Sequence, residues 1–206
     1  MTGGHRDAVA SLLAEAGLSG IGPSADDAFA KRLADVIAVV RPRSLAIGWG
    51  TVDLERAEEE LVERLALQGT ARDRPVPPDE LLGASCRLLT SGRGGEVLLL
   101  EPSTEGRLAA ALARFGEGVL AIYLRVAATA LPAAHRAGLS LTAEGAGPVG
   151  RQRLVLGGPR WGPHVLLVAP EGNRPARHNP AGNAPASDAP ARDPPAEAPS
   201  PGNIIR

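Results

Sequence analysis

Apolar positions recur along the chain with two different periods, and the switches between them mark out its elements. From Asp7 to Ala16, residues Val9, Leu12, Leu13 and Ala16 fall on one helical face, and Gly17 and Gly20 break the run. Ser24 followed by Asp27 is a variant of the capping box. It precedes Phe29, Leu33, Val36, Ile37 and Val40, spaced for a second helix with one buried stripe, which Pro42 stops. This predicts a helical extension over residues 1–42, packed on the main domain or on a second subunit, so a homodimer stays open.

From Arg43 to Glu171, short runs of Val, Ile and Leu alternate with helical stretches. Leu45–Thr51 reads as a strand and Asp53–Leu67 as a helix, with Leu54, Ala57, Leu61, Val62 and Leu65 on one face and Gly69 at its end. A Pro-rich loop, Arg74–Pro78, leads to strands at Ser85–Thr90 and Glu96–Leu100 joined by the Gly-rich hairpin signal Ser91–Gly95. The same order then returns. Val119–Val126 reads as a strand, Ala128–Ala137 as a helix ended by Gly138, and Arg151–Leu156 and His164–Val168 as strands. Leu45-Ala46-Ile47 opens the first unit and Leu120-Ala121-Ile122 the second, while Glu96-Val97-Leu98-Leu99-Leu100-Glu101-Pro102 is echoed by His164-Val165-Leu166-Leu167-Val168-Ala169-Pro170. With one weak strand in each, near Leu81 and at Leu139–Thr142, this predicts a βαβββ unit used twice, in an α+β fold.

Composition sharpens this picture. Eight of the 19 prolines fall after Glu171, where Ile204 and Ile205 are the only large apolar residues, so residues 172–206 read as a disordered tail. Aromatic residues are 2% of the chain, so the core must be built from Leu, Val, Ile and Ala. The net charge of −1 supplies no basic field for nucleic acid. The single cysteine, Cys86, excludes an internal disulfide and a cysteine zinc cluster. No apolar run approaches a membrane span and the first residues lack a signal-peptide pattern, so the expectation is a cytoplasmic protein with no membrane partner. No phosphate-binding loop, nucleophile elbow or aromatic-interleaved basic patch is present.

Four stretches in this order resemble the vicinal oxygen chelate superfamily, in its glyoxalase and methylmalonyl-CoA epimerase-like branch. They are Ile47-Gly48-Trp49-Gly50-Thr51-Val52-Asp53-Leu54-Glu55-Arg56-Ala57, Leu98–Pro102, Phe115-Gly116-Glu117-Gly118-Val119-Leu120-Ala121-Ile122, and Pro159–Leu167. The resemblance covers residues 43–171, with modules at about 43–102 and 117–171. It implies two paired βαβββ modules forming a curved mixed sheet around a cavity. In active members that cavity holds a divalent metal, a Lewis acid that polarises a substrate carbonyl. Carried over one at a time, the ligand positions fall on Ala46, Leu98, Ala121 and Leu166, and shifting the last by two reaches Val168. None has a lone pair to offer a metal, so the resemblance implies a metal site whose ligands are missing.

Strand alternation places Ala46, Gly48 and Gly50, then Val119, Ala121, Tyr123 and Arg125, then Glu96, Leu98 and Leu100, then His164, Leu166 and Val168 on the ligand-facing side. The small residues of the first strand predict a roomy wall, and Trp49, of opposite parity, is expected beneath a helix. The expected cavity residues are Ala46, Gly48, Leu98, Ala121, Tyr123, Arg125, His164 and Leu166. Glu96, Tyr123 and His164 are the candidates for acid–base work. Each has a plainer reading: Tyr123 as a packed core residue with a satisfied hydroxyl, Arg125 as a solvated or ion-paired strand end, Glu96 as a solvent-facing residue after a Gly-rich turn, His164 as a surface histidine, Cys86 as a small buried hydrophobe. The expected function is binding of a small organic molecule without a metal cofactor. A metal-dependent lyase or epimerase whose ligands lie elsewhere, and a cofactor-independent isomerase, are the alternatives.

Overall fold

The structure, a computed structural model, describes residues 27–65, 67–68, 76–91, 95–103, 105–157 and 163–170. The helix expected at Asp7–Ala16 and the tail after Glu171 lie outside the described residues.

Helix α1, Asp27–Val40, buries the stripe of Phe29, Leu33, Val36 and Val40. It ends where Arg41 turns to a φ of 46°, its N–H donating to the Ile37 carbonyl at 2.9 Å, just before Pro42. Strand β1, Ser44–Gly50, leads to helix α2, Leu54–Leu65. Asp53 caps α2, its Oδ1 accepting the N–H groups of Glu55 and Arg56 at 3.1 and 3.0 Å. The helix stops two residues earlier than its periodicity predicts, because Leu67–Gln68 form a short strand, β2, paired with Thr90 and Ser91. Strands β3, Ala84–Ser91, and β4, Glu96–Pro102, complete the first unit. No strand forms near Leu81, which lies in the turn that precedes β3; the short extra strand of this unit is β2, at Leu67–Gln68.

Helix α3, Arg107–Phe115, follows with no counterpart among the sequence predictions. The second unit comprises β5, Gly118–Arg125, α4, Ala130–Arg136, β6, Gln152–Leu154, and β7, His164–Val168. Its expected weak strand is reduced to a single bridge between Leu141 and Val155.

The seven strands form one mixed sheet in the order β2-β3-β4-β1-β5-β7-β6. Each unit runs outward from its first strand: β4 pairs parallel with β1, and β7 parallel with β5. The units meet at the antiparallel β1–β5 pair in the middle of the sheet. Glu117 reinforces this junction, accepting from the Thr51 hydroxyl at 2.9 Å, the Val52 N–H at 3.0 Å and the Arg56 guanidinium at 2.6 Å. The Arg56 contact is the main reason its carboxyl is held below the usual range.

Both faces of the sheet are covered, which is why its central strands read as unbroken apolar runs. Leu45, Ile47, Val97, Leu99, Ile122, Leu124, Val165 and Leu167 pack under α1, α2 and α4, and Trp49 joins them there as its parity predicts. Ala46, Leu98, Leu100, Ala121, Tyr123, Leu166 and Val168 form the inner face, against Leu82 and the α3 residues Leu108, Ala111 and Leu112. A register shift between Gly48 and Trp49 corrects one expectation: Gly48 pairs with Ala121 but Trp49 pairs with Val119. The extra residue, Leu120, turns to the inner face, and Val119 moves to the helix-covered side.

Candidate functional site

The inner face is where the sequence places its site, and chain from outside the strands fills it. The segment Val76–Gly83 folds over it as a tight turn. Asp79 N–H donates to the Ala84 carbonyl at 2.9 Å, while its own carbonyl accepts from Gly83 at 2.8 Å and Ala84 at 3.1 Å. This turn delivers Leu82, fully buried, into the inner core. The Leu82 carbonyl accepts the Leu108 N–H at 3.1 Å, which fixes the first turn of α3 on the same side.

Under this cover, Ala46, Leu98, Ala121, Tyr123 and Leu166 are each 0% exposed. The room expected beside the small residues of β1 is taken up. A Cβ at Gly48 would lie 2.7 Å from the Ala121 Cβ, 2.7 Å from Leu100 Cδ1 and 3.0 Å from Tyr123 Cε2. A Cβ at Gly50 would run into Leu120 Cδ1, the residue the register shift turns inward.

Tyr123 has its hydroxyl satisfied in this core, donating to Asp79 Oδ2 at 2.7 Å, while Asp79 Oδ1 accepts the Leu82 N–H at 2.9 Å. Burial first, then the charge of Asp79, pushes the Tyr123 hydroxyl well above its ordinary range, so it stays protonated. Cys86 nearby has its thiol pushed up to about 12 by burial and by Asp79, which makes it a poor nucleophile.

The other expected polar residues lie at the margins. Arg125 Nη2 meets Glu96 Oε2 at 2.7 Å across the ends of their strands, with side chains 37% and 22% exposed. The two candidates therefore neutralise one another. His164, at the first position of β7, is half-buried. Burial lowers its pKa below the ordinary value of 6.5, against the pull of the Arg107 backbone, and the Arg107 charge adds to the lowering.

His164 opens onto a cleft of about 360 Å³ between α1, α3 and the β6–β7 edge. Phe29, Val36 and Leu154 supply its apolar floor, and Arg32, Arg107 and Arg114 line it with His164. Arg32 Nη2 donates to the Leu156 carbonyl at 3.0 Å and Arg107 Nη1 to that of Leu81 at 3.0 Å. Arg114 stacks over Phe115, 5.7 Å from the ring centroid. Sequence reasoning missed the three arginines and Asp79. Arg107 and Arg114 carried a readable signal, since seven residues apart on a helix is two turns along one face. Asp79 carried none, because its partner lies 44 positions away.

The residues at the four implied ligand positions do not fit a divalent metal. Ala46, Leu98, Ala121 and Leu166 bring no donor atom and are packed against one another's neighbours with no exposed surface. Among the described residues no three His, Cys, Asp or Glu side chains are grouped to hold a metal ion elsewhere. No helix among them is long and apolar enough to cross a membrane.

No family model and no curated protein sequence matches the chain. Solved structures do. The methylmalonyl-CoA epimerase of Mycobacterium tuberculosis superposes with a TM-score of 0.53 at 21% identity, over 64% of this chain and 89% of that one. A hypothetical protein from Bacillus halodurans superposes with a TM-score of 0.50 at 18% identity, over 61% of this chain and 92% of that one. The two βαβ-type units joined through β1 and β5, and these superpositions, show that the chain has the paired-module α+β fold of these solved structures, the fold that the sequence resemblance implies.

Proposed function

We propose that this protein binds a small organic molecule and does so without a resident metal, as a cytoplasmic binding module built on an enzyme fold. The observation that carries the reading is the state of the inner face. Ala46, Leu98, Ala121 and Leu166 are apolar and fully buried beneath Leu82 and α3, where a metal-dependent relative needs donor atoms and an open coordination position. Lewis-acid polarisation of a substrate carbonyl has no support from these side chains.

Acid–base chemistry has little more. Tyr123 spends its hydroxyl proton on Asp79, and Glu96 is paired with Arg125. Of the three candidates, His164 is the one beside open space, and burial favours its neutral form. A site with an apolar floor and a few oriented polar groups suits recognition of an organic ligand.

Two measurements on the full chain test the reading. Native mass spectrometry of protein purified without chelator is expected to show a bound organic species or the bare chain. Thermal unfolding with added Mn²⁺, Co²⁺, Ni²⁺ or Zn²⁺ is expected to leave the midpoint unchanged, because only a ligand bound to the folded state raises it. A midpoint that rises with one of these ions and falls back with chelator would establish the metal-dependent lyase or epimerase alternative instead.

A further inference from the structure

We infer that the cleft between α1 and α3 is the binding site, and that its ligand is a small organic anion: a carboxylate or phosphate head on an apolar body. This rests on the reading above that a small organic molecule is bound, and it supplies the place and the chemical class.

The first ground is charge. Three guanidinium groups, Arg32, Arg107 and Arg114, line one cleft of about 360 Å³, and no Asp or Glu is among its described lining residues. Arg32 and Arg107 each donate to a neutral backbone carbonyl, Leu156 O and Leu81 O. Neither interaction neutralises a cation. Positive charge gathered over a low-dielectric floor focuses a field that favours an anion.

The second ground is an unmet donor. Arg32 Nε is shut off from solvent and has no acceptor among the described atoms, while Nη2 of the same guanidinium holds Leu156 O. A buried N–H without an acceptor is unfavourable, and a turn of the guanidinium toward the cleft that Arg32 lines would let an incoming oxygen meet it. Guanidinium groups match carboxylate and phosphate oxygens with paired N–H donors.

The third ground is the floor. Phe29 and Val36 of α1 and Leu154 of β6 present buried apolar surface to the same space. An inorganic anion would leave that surface uncovered, and a neutral apolar molecule would leave the Arg32 Nε–H without an acceptor. His164 fits the same picture: neutral, it adds no further cation and leaves an imidazole to orient the ligand.

The test uses the full chain and calorimetric titration at low ionic strength with octanoate, octyl phosphate, octanol and inorganic phosphate. At least one octyl anion is expected to bind, with octanol and inorganic phosphate at least about tenfold weaker, the scale of a charge-assisted pair. Arg32→Gln and Arg107→Gln are each expected to weaken that anion about fivefold or more, with thermal midpoints near the parent's showing that the variants are folded. Filling the cleft by Ala110→Trp, an exposed α3 position that lines it, is expected to abolish binding. Preference for octanoate over octyl phosphate assigns the carboxylate, and the reverse assigns the phosphate. The inference is overturned if octanol binds as tightly as both anions, if neither anion binds, or if both Arg variants bind like the parent. A copurified organic ligand whose binding Ala110→Trp leaves intact would overturn the cleft assignment and keep the metal-free binding reading. A divalent metal at full stoichiometry would overturn that reading whatever the octyl series shows.

Discussion

Gly48→Ala distinguishes a roomy inner face from a packed one by the sign of its effect. In an open strand position with ordinary backbone, Gly→Ala stabilises by about 0.4–1 kcal/mol, because it narrows the unfolded ensemble. Here the new methyl carbon would sit 2.7 Å from the Ala121 Cβ, where carbon atoms at rest are about 3.5–4.0 Å apart. Ala121 cannot rotate its Cβ away. Its position is set by β5, which is paired with β1 at this very residue. Leu100 Cδ1, also at 2.7 Å, can turn, but Leu100 is fully buried and must displace something else. Overpacking of this kind costs about 1–3 kcal/mol, or a midpoint lower by about 4 °C for each kcal/mol in a domain of this size. Urea titration reads it as a lower midpoint at unchanged slope. Adding Ala121→Gly moves the methyl from one strand to its partner, and the double variant is expected to recover part of the loss. A Gly48→Ala protein as stable as the parent, or more stable, would refute the packing.

Three further outcomes follow from the same core and its margin. Tyr123→Phe removes the donor to Asp79 Oδ2 and leaves a buried carboxylate oxygen short of a partner, a loss of about 1–3 kcal/mol by urea titration; a loss under about 0.5 kcal/mol contradicts the pair. His164 has a pKa below 6.5 in the folded protein, so the unfolded chain takes up its proton first as pH falls. Stability is therefore expected to decline from about pH 6.5 downward, and His164→Gln is expected to flatten that part of the profile; parallel profiles for the two proteins contradict it. Cys86, half-buried and with its thiol pushed up to about 12, is expected to react with a thiol-specific disulfide reagent at neutral pH far more slowly than an exposed free thiol, and reaction as prompt as that of a free thiol contradicts the raised pKa.

Six of the seven strands could be read from the sequence because each carries its apolar residues in one short run with glycine, proline or charge at its ends, whereas β2, two residues long, falls inside a helical pattern. The duplication could be read because Leu45-Ala46-Ile47 and Leu120-Ala121-Ile122 begin the two strands that meet at the centre of the sheet. Parity gave the inner face correctly at Ala46, Leu98, Tyr123 and Leu166. It failed at Val119, since a one-residue register shift reverses the faces and leaves no mark in the local pattern. What covers that face was out of reach. Leu82 and α3 arrive from segments remote in sequence, and alternation reports which residues share a side without saying what lies opposite. α3 itself had a signal in Leu108, Ala111 and Leu112 ahead of Gly116, but its nine residues fall between two modules where the duplicated pattern assigns no element. The cleft is tertiary in the same way: Arg32, Arg107 and His164 come from three elements and share no motif.

The most direct test of a metal-free inner face is elemental analysis of the full-length protein, purified without chelator and divided by protein concentration from amino-acid analysis. Ala46, Leu98, Ala121 and Leu166 predict Mn, Fe, Co, Ni and Zn all well below one equivalent, with no change in unfolding midpoint after chelator treatment. One equivalent of any of these metals, lost to chelator together with stability, would contradict it.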